Sequence, residues 1–384
     1  MKNNILLLIL SIFISLLLGE GLVRVLESKK IIKIDRGILN ALNMYVSPYV
    51  YVFKPYSSRI VPNIESQSYW QINGHGLRDV DYSFDKPNNT YRVAVIGDSI
   101  TFGFGVDLFE SYPKILEKDL NHLQDGKVNY EVMNFGKPGF GPIEYDEIWK
   151  NLASKFHPDL TIVGFYFGND VIDAEGRFLE DKYISWHALP DRLVPYTVNE
   201  FLKNNSSLWL LILNKYYSWD KAKIYRADTM DIIMNGKADK ERHYLMHVEP
   251  TDKIMEGWKI SENAINSIVK KANESNTKVV ILGLSAQEEI LPDVWKGFVQ
   301  KGWKADMRIY EDSAVRRTFF QLCEKNMWTC ADTRGVLREQ KDLPNLFIKL
   351  DSHFTYAGNK VVADYLMDFL INNKVIDYKK RSVN

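Results

Sequence analysis

Net charge is the first thing this sequence lacks: 49 Lys and Arg stand against 49 Asp and Glu, a formal balance of zero. Without a basic excess there is no cationic face to hold phosphates, so nucleic acid is not expected as a partner. Cysteine is nearly absent too. The only two, Cys323 and Cys330, lie in one short stretch, which excludes a disulfide framework and a four-cysteine zinc site. One local disulfide and two unpaired core cysteines both stay open. No internal repeat or low-complexity tract is visible, and no Gly-Lys-Ser/Thr follows a glycine-rich turn, which argues against a nucleotide phosphate loop. His243 and His247 are spaced like zinc ligands but lack the glutamate of HExxH. No metal and no cofactor is therefore expected. What the chain does have is apolar residues. With 46% hydrophobic and 13% aromatic over 384 residues, it can bury a sizeable core, and disorder is not expected.

The longest apolar run opens the chain. ILLLILSIFISLLLG, residues 5–19, carries no charge over fifteen residues. As a helix it spans about 22 Å, short of a roughly 30 Å hydrocarbon core unless Gly21, Leu22 and Val23 extend it. Glu20 and Arg24, four apart, could then pair near an interface. A single-pass signal anchor over residues 5–23 is expected; a cleaved export signal and a buried helix are the alternatives. The flanking charges divide: Lys2 precedes the run, while Arg24, Lys29, Lys30, Lys33 and Arg36 follow it. By the positive-inside rule the latter would hold the following chain in the cytoplasm, although long domains translocate despite charge. An extracytoplasmic placement is the expectation.

After a mixed segment over 27–90, with turn signals at Ser47-Pro48, Lys54-Pro55 and Val61-Pro62, the pattern turns regular. Apolar runs at 92–96, 129–134, 159–165, 277–284 and 327–331 alternate with helix-like stretches at 110–122, 143–156, 256–275, 312–325 and 355–372. Continuous apolar strands alternating with helices predict a parallel sheet covered on both faces. The third and fourth strands are too far apart for one crossover, which predicts an insertion at about 171–255. The expected organisation is an anchor helix over 1–26, a stalk and N-terminal layer over 27–90, a main domain over 91–375 and a tail over 376–384.

In such a sheet, reactive groups collect at the carboxyl ends of the strands. The first strand runs into Gly97-Asp98-Ser99, where Gly97 permits a sharp turn and Asp98 can accept backbone N–H bonds to hold it. The second ends in NFGKPGFG, which frees backbone amides, and the third in GND, which supplies the amide of Asn169. Near the C-terminus comes KLDSHFTYAG. Together these supply the parts acyl transfer needs: Ser99 to attack, His353 to take its proton, Asp351 to orient the imidazole. The Ser99 and Gly139 amides and the Asn169 side chain would serve as oxyanion donors.

Taken in order, these four blocks resemble those of the SGNH (GDSL-type) hydrolases. Ser99 in GDSI matches the nucleophile, Gly139 in NFGKPGFG the second-block glycine, Asn169 in GND the third-block asparagine and His353 the final histidine. The match covers roughly residues 70–372, and the lead-in NGHGLRD (73–79) is similar to that of membrane-attached bacterial members. The resemblance implies a flavodoxin-like three-layer α/β/α fold with a five-stranded parallel sheet, preceded here by the transmembrane or signal helix. It implies a serine ester hydrolase, with acylated envelope glycans or lipids as the substrate class and the membrane as partner through the N-terminal helix. One feature departs from the pattern. Many members place the acid three residues before the histidine, where this chain has Leu350; Asp351 stands two before, as in a subset of acyl-handling relatives. Asp332 is the alternative acid, and a Ser-His dyad with a weakly placed acid also stays open. Two alternative functions stay open: an O-acyltransferase using a sugar hydroxyl, and a non-catalytic envelope component that keeps the fold.

Overall fold

The computed structural model describes residues 2–32, 44–47, 50–53, 55–62, 67–123, 128–174, 198, 201–202, 205–212, 252–294, 308–311, 313–348 and 351–376. The pair His243 and His247 and the tail after residue 376 lie outside them. The chain divides into two units: residues 1–42 with 183–237, and residues 43–182 with 238–384.

At the centre of the larger unit is a five-stranded parallel sheet. Its strands are β5 (Thr90–Gly97), β6 (Asn129–Asn134), β7 (Leu160–Tyr166), β8 (Lys278–Leu284) and β9 (Cys330–Asp332), in the order β6-β5-β7-β8-β9. Order reverses beside β5, the first of them in the chain, which makes its carboxyl end the switch point where ligands bind in open sheets. Every residue of β7 is buried, as a strand covered on both faces requires. Register sets Val95 of β5 beside Asn134 of β6, and Gly97 beside Gly164 of β7. The segments leaving β6, β5 and β7 therefore emerge side by side at one edge.

Helices α3 (Tyr112–Leu123), α4 (Pro142–Asn151), α5 (Asp252–Glu274) and α6 (Ala314–Asn326) connect the strands, and α7 (Tyr356–Asn372) follows the last of them. On α5, Ile254, Trp258, Ile265 and Ile268 are buried, a helical period that lays one stripe on the sheet. Tyr112 N–H at the start of α3 donates to Asn359 Oδ1 of α7 at 3.0 Å. That bond ties the C-terminal helix to the loop after β5. The last strand is displaced from the apolar run expected at 327–331. Met327 closes α6 in a left-handed conformation (φ 55°), and Trp328 N–H caps the Cys323 carbonyl. The helix end thus consumes the start of the run, and pairing begins at Cys330. Cys323 and Cys330 form a disulfide between α6 and β9.

Before the sheet come two antiparallel hairpins, β1 (Met44–Ser47) with β2 (Val50–Val52), and β3 (Ser58–Pro62) with β4 (Gln67–Gln71). Phe53, just after β2, and Trp70, on β4, lean on Phe102 with ring centroids 5.7 and 4.6 Å away.

In the smaller unit, helix α1 (Lys2–Ser28) contains the opening apolar run. Among the described residues, no helix is long and apolar enough to cross a membrane. The span expected over 5–23 is thus without structural support. Glu20 stands just past the uncharged run. It pairs with Arg24 at 2.6 Å and also accepts from Ser206 Oγ, Ser207 N–H and Leu208 N–H at 2.7–2.9 Å, at the start of the helical stretch 207–212.

Candidate active site

Ser99 begins α2 (Ser99–Phe102), a single turn set on the end of β5. Asp98 caps it: its side chain accepts from Ile100 N–H at 2.9 Å, which fixes the serine at the mouth of the turn. Gly103 ends the turn left-handed, with φ 76°.

His353 and Asp351 arrive from the other end of the chain on a tight reversal. Phe347 and Phe354 form an isolated antiparallel bridge, Ile348 N–H donates to the His353 carbonyl at 2.9 Å, and Asp351 N–H donates to the Ile348 carbonyl at 3.0 Å. Thr355 then caps α7. This reversal presents the imidazole to the serine: His353 Nε2 lies 2.8 Å from Ser99 Oγ. On the far side of the ring, His353 Nδ1 is hydrogen-bonded to Asp351 Oδ1, which also accepts the His353 backbone N–H at 3.1 Å. Both side chains keep about a fifth of their surface open to solvent. Spacing of two residues therefore suffices. The same carboxylate oxygen takes the backbone and the ring N–H because the chain reverses between them.

Asp332, the alternative acid, is engaged elsewhere, in a two-pronged pair with the Arg316 guanidinium. The structure does not bring it to His353.

The donor groups follow from the strand register. Gly139, in the loop after β6, has φ 79°, a left-handed conformation that favours glycine. Among the described residues, neither the Ser99 nor the Gly139 backbone N–H has a hydrogen-bond acceptor. Asn169 follows β7, and its Nδ2 donates to Asp173 Oδ2 at 2.9 Å.

Two further carboxylates lie beneath the serine. Asp98 is fully buried. Burial pushes its carboxyl up to about 6, against the opposing pull of its backbone bond to Ile100 and of the nearby His353. Asp170 is raised well above the ordinary carboxylate range by burial and by Asp98. It accepts from Tyr166 N–H and from the Tyr145 hydroxyl, both at 2.9 Å. Asp98 thus holds the backbone of α2, and Asp170 that of the end of β7.

Three residues near this constellation were not singled out from the sequence. The Phe104 ring packs on His353 at 4.8 Å. Arg78, in the lead-in block, donates to the carbonyls of Phe102, Gly103 and Val106 at 3.0, 2.8 and 2.5 Å, and so clasps the loop that carries Phe104. Asp173 holds Asn169. Only the last left a readable trace, the four-residue spacing of N-D-V-I-D that puts both side chains on one face of a helical turn.

Among the described residues no group of His, Cys, Asp and Glu is arranged to hold a metal ion.

No family model matches the sequence, and no curated protein matches it. Solved structures do. One is a protein described as lipolytic, of the G-D-S-L family, from Desulfitobacterium hafniense DCB-2. It is 13% identical, with 73% of this chain and 99% of that one covered and a TM-score of 0.37. Another is a catalytic mutant of an acetylxylan esterase from Geobacillus stearothermophilus, 14% identical over 73% of this chain and 94% of that one, with a TM-score of 0.39. The psychrotrophic esterase EstA from Pseudoalteromonas sp. is 11% identical over 75% and 100%, also at 0.39. At such TM-scores these likenesses carry no argument about activity or substrate.

Proposed function

We propose that this chain is a serine ester hydrolase of the SGNH type, acting through an acyl intermediate on Ser99. The observation that carries the reading is the hydrogen-bonded line Ser99 Oγ to His353 Nε2, at 2.8 Å, and His353 Nδ1 to Asp351. A serine hydroxyl is a weak nucleophile until a base within hydrogen-bond reach takes its proton, and that base needs a third group to hold its ring. On this reading, Ser99 Oγ attacks the ester carbonyl while His353 Nε2 accepts the hydroxyl proton. Asp351 keeps the proton on Nδ1 and stabilises the imidazolium. The negative charge gathering on the carbonyl oxygen is met by the N–H groups of Ser99 and Gly139 and by the Asn169 amide. His353 returns its proton to the departing alkoxide. Water then repeats the sequence on the acyl–Ser99 ester and releases the acid.

The same reading places the catalytic unit outside the cytoplasm, on acylated envelope glycans or lipids, with α1 as export signal or anchor. The Cys323–Cys330 pair supports it, because structural disulfides persist in oxidising compartments. Reporter fusions after residue 40 and at the C-terminus test this side of the proposal; cytoplasm-only reporter activity at both would reverse it.

For the chemistry, the test is turnover of an activated ester by the purified full chain and by Ser99→Ala. Loss of turnover with an unchanged melting curve is expected, whereas near-normal turnover would remove Ser99 from the mechanism.

A further inference from the structure

Asn169 sits in a setting that its own chemistry does not require. Its Oδ1 is buried and, among the described residues, has no hydrogen-bond partner. Such an orphan is costly, and an amide free to turn would be expected to relieve it. What opposes the turn is Asp173. A carboxylate accepts but does not donate, so the 2.9 Å contact between Asn169 Nδ2 and Asp173 Oδ2 fixes which end of the amide faces the acid. The two N–H bonds of a primary amide diverge in one plane; holding one aims the other.

Asp173 is itself held. It is buried, with 3% of its surface exposed, and its backbone N–H closes the turn on the Asn169 carbonyl at 2.8 Å. The loop carrying Gly139 rests on the same residue. A Cβ at Gly141 would come within 2.5 Å of the Asp173 carbonyl oxygen, so glycine there lets the two segments touch. One residue thus abuts both segments that bear donor groups.

We infer that Asp173 is a positioning residue for acyl transfer, locking the Asn169 amide with one N–H directed at the oxyanion. This rests on the proposed esterase reading. A positioning group of this kind leaves ground-state binding alone and acts as charge develops. Its effect passes through Asn169 and vanishes once Asn169 is gone.

The experiment is a double-mutant cycle on the full chain with p-nitrophenyl acetate as substrate. Asn169→Ala is expected to lose roughly a hundred- to a thousandfold in kcat, the usual cost of one oxyanion donor. Asp173→Ala is expected to lose about ten- to a hundredfold in kcat with KM within about threefold. Asp173→Asn, which keeps an acceptor oxygen, should recover most of that loss. Asn169→Ala/Asp173→Ala should match Asn169→Ala alone. Should Asp173→Ala not fold, Asp173→Ser, polar but too short to reach the amide, takes its place with the same expected loss. Equal losses from the Asp173 change in the wild-type and Asn169→Ala backgrounds would overturn the inference, as would an Asp173 variant with unchanged kcat. A wild-type kcat for Asn169→Ala would instead overturn the oxyanion role itself, and so the reading on which the inference rests.

Discussion

Asp351 reaches the histidine ring from only two residues away, and it does so by accepting the His353 backbone N–H as well. Asp351→Asn is therefore expected to keep the reversal but favour the wrong imidazole tautomer, cutting kcat by up to about 10⁴-fold. Asp332→Asn should stay active, since Asp332 is tied to Arg316. The opposite ranking would exchange their roles. Asp98 makes a different prediction. Folded, its carboxyl holds a proton up to about 6; unfolded, it releases that proton near the ordinary value of about 4. Between those limits the folded state binds more protons, so this group's contribution to stability declines as pH rises through the window. Asp98→Asn stays neutral throughout and can still cap Ile100. Relative to wild type it should gain stability from about pH 4 to about pH 6 and then level off. Urea melts on either side of the window measure this; a difference that does not change with pH would show that Asp98 ionises in the fold as it does in water.

Among the elements, the decisive one is the loop after α2. Arg78 is fully buried and supplies donors to three of its carbonyls. Arg78→Met would leave the Phe102 and Val106 carbonyls without that donor, at about 1–3 kcal/mol each, while the Gly103 carbonyl keeps the Val106 N–H. A loss of at least about 2 kcal/mol is expected in urea melts, with kcat reduced because Phe104 packs on His353. A change under about 1 kcal/mol would mean that water replaces the guanidinium. This loop also marks where the sequence stops being legible. Strands and helices could be read because apolar runs and helical periods are local. The blocks around Ser99, Gly139, Asn169 and His353 could be read because strand ends in a parallel sheet share an edge. The carbonyls of this loop that Arg78 binds lie 24 to 28 residues away, and Phe104 meets a histidine near the other end of the chain. No local pattern encodes either contact. The misplaced start of β9 has the same origin: the run over 327–331 looks uniform, and only the left-handed Met327 gives its first residues to the helix end.

At the scale of the molecule, the Cys323–Cys330 disulfide joins α6 to the edge strand of the sheet. Loop-closure entropy for a sequence separation of 7 corresponds to about 2–3 kcal/mol. Cys323→Ser/Cys330→Ser should lose about that much stability while the proposed catalytic site, built on other strands, keeps its kcat. Thiol titration of the denatured, unreduced full chain should find no free cysteine. Two titratable thiols would undo both the stabilisation and the argument for an oxidising compartment. Composition bounded this outcome without choosing it, since two cysteines seven apart are compatible both with a bridge and with a pair of core residues. The opening run is the reverse case. Its apolarity is plain in the sequence, but the engagement of Glu20 by residues 206–208 is written nearly two hundred residues away.

If His353 makes Ser99 nucleophilic, as proposed, covalent labelling reads that activation without any choice of substrate. The folded full chain is treated with a fluorophosphonate, which reacts with activated serines, and the adduct is counted by intact mass and located by peptide mapping. A single adduct on Ser99 is expected, absent from Ser99→Ala and greatly slowed in His353→Ala. No adduct on the folded wild-type chain, or one that persists in Ser99→Ala, would contradict it.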